Sequence, residues 1–504
     1  MKLKIVSPSK AIVEDATREE LISLYEDLTY NNTAKQHLVK RHYGNHWLKS
    51  KDKEAWDIKL KELKADVKKT VIFREDGKIF IRPGSIPYLT NRNLQVENHI
   101  IYPTPKKVPW SKPLPFSLHG YQEESWQKLV KEAINGPTNV ELCTGAGKSA
   151  ILLKICRETG FKTAIIAPSK SIFNELLEKF EYHFGKKLVG RFGDGKKVLG
   201  KRFTICISDS IVNIKPGTEE WEFFSNLEML LVDESHTFGA DTLEGICHGV
   251  LKDIPYRSFL SGTQTRGDGA EKLLYSIIGK TIHTLSTQEA VAGGFICPHE
   301  YRIVELESSD PNFNSADNIE MKRIHFLRNK NIAAFTAKLA NVYATQFKMN
   351  TLILVEELGQ ISSILPMIMV PVAVAHSEKR KDRLIELGIS KVDPKESVDK
   401  FNKNEVQVLI GTSCISTGTN IYPTHNTVNW QGGSSEIKTR QGAIGRSVRL
   451  GEQNPWKSKC PLKEKAIIWD FNVQDNEVMA GQLENRIECY LDSGSEIKHI
   501  KFKK

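Results

Sequence analysis

No two of the eight cysteines lie closer than thirteen residues, so the chain has no Cys-x-x-Cys pair for zinc or dithiol chemistry. Several stand inside apolar runs, as Cys206 does in TICIS, where a thiol acts as a small buried hydrophobe. A reducing, cytoplasmic setting is expected. No run of eighteen apolar residues occurs, which excludes a helical membrane span and any membrane partner built on one. The opening MKLKIVSPSKAIVED holds only a two-residue apolar stretch, far short of a secretory signal, so export is not expected. There is no short internal repeat and no low-complexity tract. What is left, at 40% hydrophobic and 26% charged residues, is ordinary globular protein. At 504 residues it is too long for one core and suits two or three domains.

The net charge of +10 is unevenly placed. Residues 1–115 hold 22 Lys and Arg against 14 Asp and Glu, an excess of eight. A basic module ahead of a near-neutral remainder suggests a phosphate-backbone partner, with a solvated lysine surface as the alternative.

Within that first segment EELISLYEDL reads as a helix with Leu21, Leu24, Tyr25 and Leu28 on one face. VIFREDGKIFIRPG reads as a hairpin turning at Asp76-Gly77. Between them lies a highly charged helix candidate, residues 49–69. YPTPKKVPWSKPLP then places five prolines in fourteen residues, a linker that no helix or central strand tolerates.

From about residue 113 short β-branched runs alternate with helical stretches such as SIFNELLEKFEYHF. The runs are NVEL, TAIIA, TICIS, MLLVD and SFLSG, followed by TLILV, VAVAH, VQVLIG, TVNW and AIIWDF. Runs apolar on every side and separated by helices predict parallel sheets covered on both faces. Two α/β lobes in tandem follow, with a crossover near residues 293–307. The expected layout is a basic α+β accessory domain over 1–112, a first lobe over 113–297, and a second lobe over 298–504 with a C-terminal helical extension.

After NVEL comes CTGAGKSAILLKIC, in which Gly145, Gly147, Lys148 and Ser149 lie between a strand and a helix. Glycines there let backbone N–H groups approach phosphates, and the helix N-terminus adds its positive dipole end. Lys148 is placed to reach the β- and γ-phosphates of ATP, and the Ser149 hydroxyl to ligate Mg²⁺. The strict GxxxxGK[ST] spacing fails, because residue 142 is Leu. MLLVDESH ends an apolar strand with Asp233, Glu234 and His236, 85 residues beyond Lys148 for the first of these. Asp233 is assigned to the metal and Glu234 to activation of the attacking water. A polar strand end capping the next helix is the alternative. His236 has no second His or Cys at ligand spacing, so coupling or packing is its expected role.

With TGAGKS, DESH and two α/β lobes, the chain resembles superfamily 2 helicases of the DExH type over roughly residues 113–475. The resemblance implies two RecA-like lobes, ATP hydrolysis and a nucleic-acid track. SLHGYQ resembles the adenine-reading motif, with Gln122 as the implied adenine contact and Thr144 joining the phosphate loop. LSGTQTRGD resembles the coupling motif, with Ser261, Gly262 and Thr263 in linking positions. IGTSCISTGTNI looks like motif V, implying nucleic-acid contacts at Thr412 and Ser413 and coupling at Gly418. APSKS and ISDS resemble backbone-contact motifs, which makes Ser169, Lys170 and Ser208 candidate contacts. GRSVR looks like motif VI. Arg446 and Arg449 are three apart on an expected helix and so share one face, from which both could reach the γ-phosphate as arginine fingers, with surface arginines or phosphate-backbone contacts as the alternative. Motif VI departs from its pattern, because Gln441 stands one residue early and Gly442 takes its place.

The likeness is greatest to phage UvsW-type helicases and extends more distantly to XPB-like and RecG-like enzymes, on SGT followed by Arg266 and Asp268, on GGFICP and on WDF. It implies branched or forked DNA as substrate, in replication, recombination or repair, a monomer, and the host cytoplasm if the chain is phage-encoded. An RNA helicase shares the same motifs, and so does a restriction-type translocase that does not separate strands. A non-catalytic binding module is disfavoured by the intact Lys148, Asp233, Glu234 and Arg446. In the basic segment His37, Lys40, Arg41, His42, Tyr43, Trp47 and Lys49 interleave aromatics with cations. They suit either stacking on unpaired bases or a small core.

Overall fold

The computed structural model describes the chain except residues 45, 66, 111, 112, 115, 239, 263–270, 316, 416–419, 435–437, 492, 503 and 504. The side chains of residues 33, 34, 37, 46–48, 171, 236, 240, 241, 438 and 441 also lie outside the description. The chain divides into two compact units, Met1–Leu142 with Gly147–Thr284, and Leu285–Lys504 with Cys143–Ala146.

The first unit begins with β1 (Lys2–Ser7), β2 (Lys10–Glu14), β3 (Thr29–Asn31), β4 (Lys68–Thr70), β5 (Ile72–Glu75), β6 (Lys78–Ile81) and β7 (Gln95–Asn98). Five of these form a sheet in the order β5-β6-β2-β1-β7, while β3 pairs with β4 alone. The expected hairpin is β5–β6, and Asp76 (φ 48°) and Gly77 (φ 75°) give the two left-handed residues its tight turn requires. The helix Arg18–Asp27 starts on a Thr17–Glu20 capping box and buries Leu24, with Leu28 buried at its C-cap. Its apolar stripe is narrower than expected, because Tyr25 is 38% exposed.

The charged segment forms the helix Lys53–Ala65, which buries only Trp56 and Leu60. Trp56 stacks on His42 at 5.0 Å and meets Tyr43 edge-on at 5.8 Å. Of the described side chains in the aromatic and basic block, His42 thus packs on the buried Trp56, while Tyr43 is 45% exposed and Lys40 and Arg41 lie exposed beside it.

An eight-stranded sheet follows, made of β8 (Thr138–Leu142), β9 (Thr163–Ala167), β10 (Val189–Gly193), β11 (Lys196–Val198), β12 (Phe203–Ile207), β13 (Met229–Val232), β14 (Tyr256–Ser261) and β15 (Lys280–Leu285). Its order is β11-β10-β12-β9-β13-β14-β8-β15, and every neighbouring pair from β10 to β8 is parallel. All five residues of β9 are buried, as a parallel strand covered by helices on both faces demands.

The basic segment is not tethered loosely to this sheet. A turn at Pro83–Tyr88 packs on the helix Glu271–Ile278, where Tyr88 stacks on Tyr275 at 5.1 Å and donates to the Gly279 carbonyl at 3.0 Å. Arg82 pairs with Glu244. One apolar cluster runs from Leu3, Ile5 and Ile81 through to Leu274 and Ile277. The proline-rich stretch is also fastened down: Lys106 N–H donates to the Thr159 carbonyl at 2.8 Å, and Trp110 Nε1 donates to the Arg157 carbonyl at 3.1 Å.

The second unit holds β16 (His299–Leu306), β17 (Thr351–Val355), β18 (Val372–Ala375), β19 (Val408–Gly411), β20 (Asn426–Trp430), β21 (Ala466–Val473) and β22 (Ile497–Lys501). The order is β18-β19-β17-β20-β21-β16-β22, parallel throughout. The helix Glu477–Leu491 closes over β21, and Arg486 grips Asp470 there through Nε at 2.7 Å and Nη2 at 3.0 Å. Each of the ten apolar runs marked in the sequence lies largely within a strand of one of these two sheets.

Candidate nucleotide and nucleic-acid site

The phosphate loop leaves the C-terminal end of β8 and enters the helix Lys148–Thr159. Gly145 (φ 93°) and Gly147 (φ 74°) both occupy left-handed backbone, which explains why glycine is needed at both places. Gln122, 6% exposed, lies against this loop, since a Cβ on Gly147 would come within 2.5 Å of its amide nitrogen. Its Oε1 accepts from His119 N–H at 2.9 Å, so the same side chain caps the helix Gly120–Glu132.

Lys148 is 7% exposed, and its Nζ sits 3.2 Å from Glu234 Oε1 while donating to the Leu142 carbonyl at 3.4 Å. Asp233 and Glu234 emerge from the tip of β13. Asp233 N–H donates to the Ile166 carbonyl at 3.0 Å, and Glu234 N–H donates to Asp233 Oδ1 at the same distance. Glu234 takes φ 50°, a left-handed conformation costing roughly 1–3 kcal/mol for a non-glycine residue, of the kind stored at functional sites. The Asp233 carboxyl is raised to about 7, chiefly by burial and then by Glu234, with Lys148 opposing both.

The sequence reading missed two residues here. From the helix Lys170–Phe184, Lys179 Nζ donates to Ser149 Oγ at 3.1 Å and pairs with Glu175 Oε1 at 2.6 Å. Both also act on Asp233, Glu175 raising its pKa and Lys179 lowering it. The Glu175–Lys179 spacing was visible on a predicted helix, but nothing in it pointed to Ser149.

This donor set fits a magnesium nucleotide. Asp233 is a buried carboxylate whose charge the protein under-compensates, and a hydroxyl at Ser149 and an ammonium at Lys148 stand on the adjoining loop. Ser149 and Asp233 are the residues that would hold the cation, Lys148 and the loop N–H groups the phosphates. Bound there, Mg²⁺ would neutralise charge on the phosphate oxygens.

The remaining first-unit candidates gather at the same carboxyl edge of the sheet, where ligands of open parallel sheets bind. Ser169 follows β9 and caps the helix Lys170–Phe184, its Oγ accepting from Ile172 N–H at 3.4 Å. Lys170 is exposed and pairs with Asp194 at 2.5 Å. Ser208 follows β12, buried, with its hydroxyl donating to Asp209 at 3.4 Å. Ser261 ends β14, fully buried, with Gly262 half-buried after it. Thr263, Arg266, Asp268 and Gly418 lie outside the described residues, as do the side chains of His37, Trp47, His236 and Gln441.

In the second unit Thr412 follows β19, nearly buried, and its N–H donates to the Ala375 carbonyl at 3.1 Å. Ser413 is exposed at the start of the turn Ser413–Ile415. The two arginines do not share a helical face as expected. Arg446 is buried in the short helix Gly445–Ser447, whereas Arg449 lies beyond its end. The Arg449 guanidinium instead bonds the Asn420 side chain and stacks over the Tyr422 ring at 5.8 Å.

A family model described as type III restriction enzyme, res subunit, matches residues 115–263, the stretch that carries the phosphate loop and the Asp233–Glu234 pair. The chain is similar to superfamily 2 helicases. A curated relative, the DNA 3'-5' translocase XPB2 of Sulfurisphaera tokodaii, is 27% identical over 243 residues, 48% of this chain and 50% of that one. The chain thus spans half the length of that curated relative. Among solved structures, a fragment of an HsdR-type subunit of a type I restriction enzyme from Vibrio vulnificus superposes with a TM-score of 0.54 at 17% identity. That likeness covers 77% of this chain and 70% of the other. T4 UvsW aligns over 99% of both chains at 15% identity with a TM-score of 0.44. Each unit holds a largely parallel sheet, as the sequence pattern led us to expect.

Proposed function

We propose that the chain is an ATP-driven DNA motor that separates or branch-migrates forked DNA, with Mg²⁺ as its cofactor. The observation that carries this reading is the buried Lys148–Glu234 pair beside Asp233, joined to a glycine loop in left-handed backbone. In the reading, Lys148 holds the terminal phosphates, Asp233 holds the cation, and Glu234 takes a proton from the attacking water. Arg446 and Arg449 complete charge stabilisation of the transferring phosphoryl group. Ser169, Lys170, Ser208, Thr412 and Ser413 grip phosphate backbone, which carries no sequence information and so suits a moving track.

Steady-state ATP hydrolysis at fixed salt, with no nucleic acid, single-stranded RNA, single-stranded DNA, duplex DNA or a four-way junction, tests it. Strongest stimulation by the junction supports the reading, and stimulation mainly by RNA overturns it. The match to restriction-enzyme motors favours a second reading, translocation along duplex DNA without strand separation. Displacement of a third strand from a triplex without unwinding of a fork would select it.

A further inference from the structure

In the second unit Lys463 is 7% exposed and, among the described residues, has no ion pair. Its ammonium is held only by carbonyl oxygens, those of Ser447 at 2.5 Å, Arg449 at 2.7 Å and Tyr422 at 3.3 Å. The intervening carbonyl, that of Val448, accepts from Cys297 N–H at 2.7 Å. Three consecutive carbonyls, 447 to 449, are thus captured directly behind the two arginines of the GRSVR segment. The third lysine contact, on Tyr422, ties this segment to the residues that follow motif V, where Asn420 and Tyr422 also hold the Arg449 guanidinium.

A buried ammonium without an anion is expensive, and apolar side chains of the same volume commonly serve a core as well or better. Stability therefore does not explain this lysine. Among the described residues its surroundings offer no compensating charge either. The groups facing it are the Cys297 thiol, the Arg449 guanidinium, and His299 and His425, whose imidazoles burial keeps toward the neutral form. Burial brings the lysine itself down to about 8. What its contacts do accomplish is geometric, since they fix the Ser447 carbonyl, one residue beyond Arg446, and the carbonyl of Arg449 itself.

We propose that Lys463 is a positioning residue for the arginine pair, locking the 447–449 backbone so that the guanidinium groups are aimed before nucleotide arrives. The proposal rests on the reading of Arg446 and Arg449 as the groups that stabilise the transferring phosphoryl. A misplacement of about 1 Å at such a group can cost on the order of a hundredfold in turnover without touching ground-state binding.

The test is a cycle on the full chain with Lys463→Met, Arg449→Ala and the double variant. Expected is a fall in DNA-stimulated kcat of about tenfold to a hundredfold for Lys463→Met, with KM for ATP within about twofold of the parent. The double variant should be no slower than Arg449→Ala alone, because both changes remove one device. Wild-type kcat in Lys463→Met, or losses that multiply in the double variant, overturn the proposal. Should the methionine variant fold poorly, Lys463→Gln, which keeps neutral donors, replaces it under the same criteria. Amide exchange across residues 445–450 separates the two layers of the argument. Full turnover in both Arg446→Ala and Arg449→Ala removes the arginine reading, while unchanged exchange in Lys463→Met removes the lock.

Discussion

The Lys179 ammonium donates to the Ser149 hydroxyl at 3.1 Å, and Glu175 holds it there at 2.6 Å. That hydroxyl is the one assigned to Mg²⁺, so a cation from the protein already stands on it. On the proposed assignment, divalent metal competes with this contact and with the repulsion of a positive charge one helix away. Lys179→Met is expected to lower the Mg²⁺ concentration for half-maximal hydrolysis about fivefold, the size of a partly exposed charge interaction near 1 kcal/mol. A magnesium titration at saturating ATP checks it. An unchanged or raised requirement would show that Lys179 assists metal binding or ignores it.

Asp233 makes the metal-free protein pH-sensitive. Its carboxyl is raised in the folded state by burial and by Glu234, toward about 7, whereas an unfolded aspartate titrates near its ordinary value. The folded state therefore holds a proton that the unfolded state releases, and stability falls as pH rises from about 4 to about 7. Asp233→Asn removes that penalty. Without metal or nucleotide it should melt about 2–4 °C above the parent at pH 7.5 and level with it at pH 4.5. Hydrolysis should be abolished at both. Equal melting of the two proteins at pH 7.5 would mean that Lys148 already neutralises the carboxylate.

Asp470 is fully buried and receives Arg486 Nε and Nη2 together with the Tyr490 hydroxyl at 2.6 Å. Removing one partner of such a site leaves a charge with no solvent and no counter-ion. Arg486→Ala is expected to destabilise the second unit by about 3–5 kcal/mol, measured by denaturant unfolding. The Asp470→Leu/Arg486→Met pair, which removes both charges, should recover most of that loss. A single variant costing less than about 1 kcal/mol would contradict the geometry.

Ten strands of the two large sheets were legible because each is a short apolar run bounded by turn residues, and a parallel sheet buries both faces of such a run. Strands β10, β11, β15 and β22 were not read, and the expected crossover near 293–307 is largely strand β16. The β5–β6 turn was legible for the same local reason, since Asp76-Gly77 states its own backbone. Lys148, Asp233 and Glu234 could be named because loop and strand tip each carry a local signature. Lys179 and Lys463 could not. Their partners lie 30 residues away at Ser149 and 14 to 41 away at Arg449, Ser447 and Tyr422, and a lysine looks the same in sequence whether it meets water or three carbonyls. Tyr25 failed for the opposite reason, because helical spacing puts it beside Leu21 and Leu28 without saying how wide the buried stripe is. The shared helical face expected for Arg446 and Arg449 failed because the helix stops at Ser447.

The basic segment can be tested without removing it. A Cβ on Gly84 would lie 2.3 Å from the Ser276 carbonyl, and the shared cluster buries Leu273, Leu274 and Ile277. Deleting residues 1–112 would therefore strip cover from the first unit and measure folding rather than recognition. Lys40 and Arg41 avoid this problem, being exposed on the helix Thr33–Tyr43 beside the contact that His42 makes with Trp56. Lys40→Glu/Arg41→Glu should keep the parent's melting temperature within about 1 °C, as surface changes do. If the segment reads forks, affinity for forked DNA should fall about tenfold or more. The slope of log affinity against log salt should shrink by about one per lost phosphate contact. Single-stranded binding, which the proposed function assigns to Ser169, Lys170, Ser208, Thr412 and Ser413, should change little. Equal weakening on both ligands would make these cations a general electrostatic surface and remove junction reading from this segment. Gly84→Val is the control in the other direction: it should loosen the docked turn, lower the melting temperature and open residues 102–115 to protease, because the clash is with backbone that cannot yield.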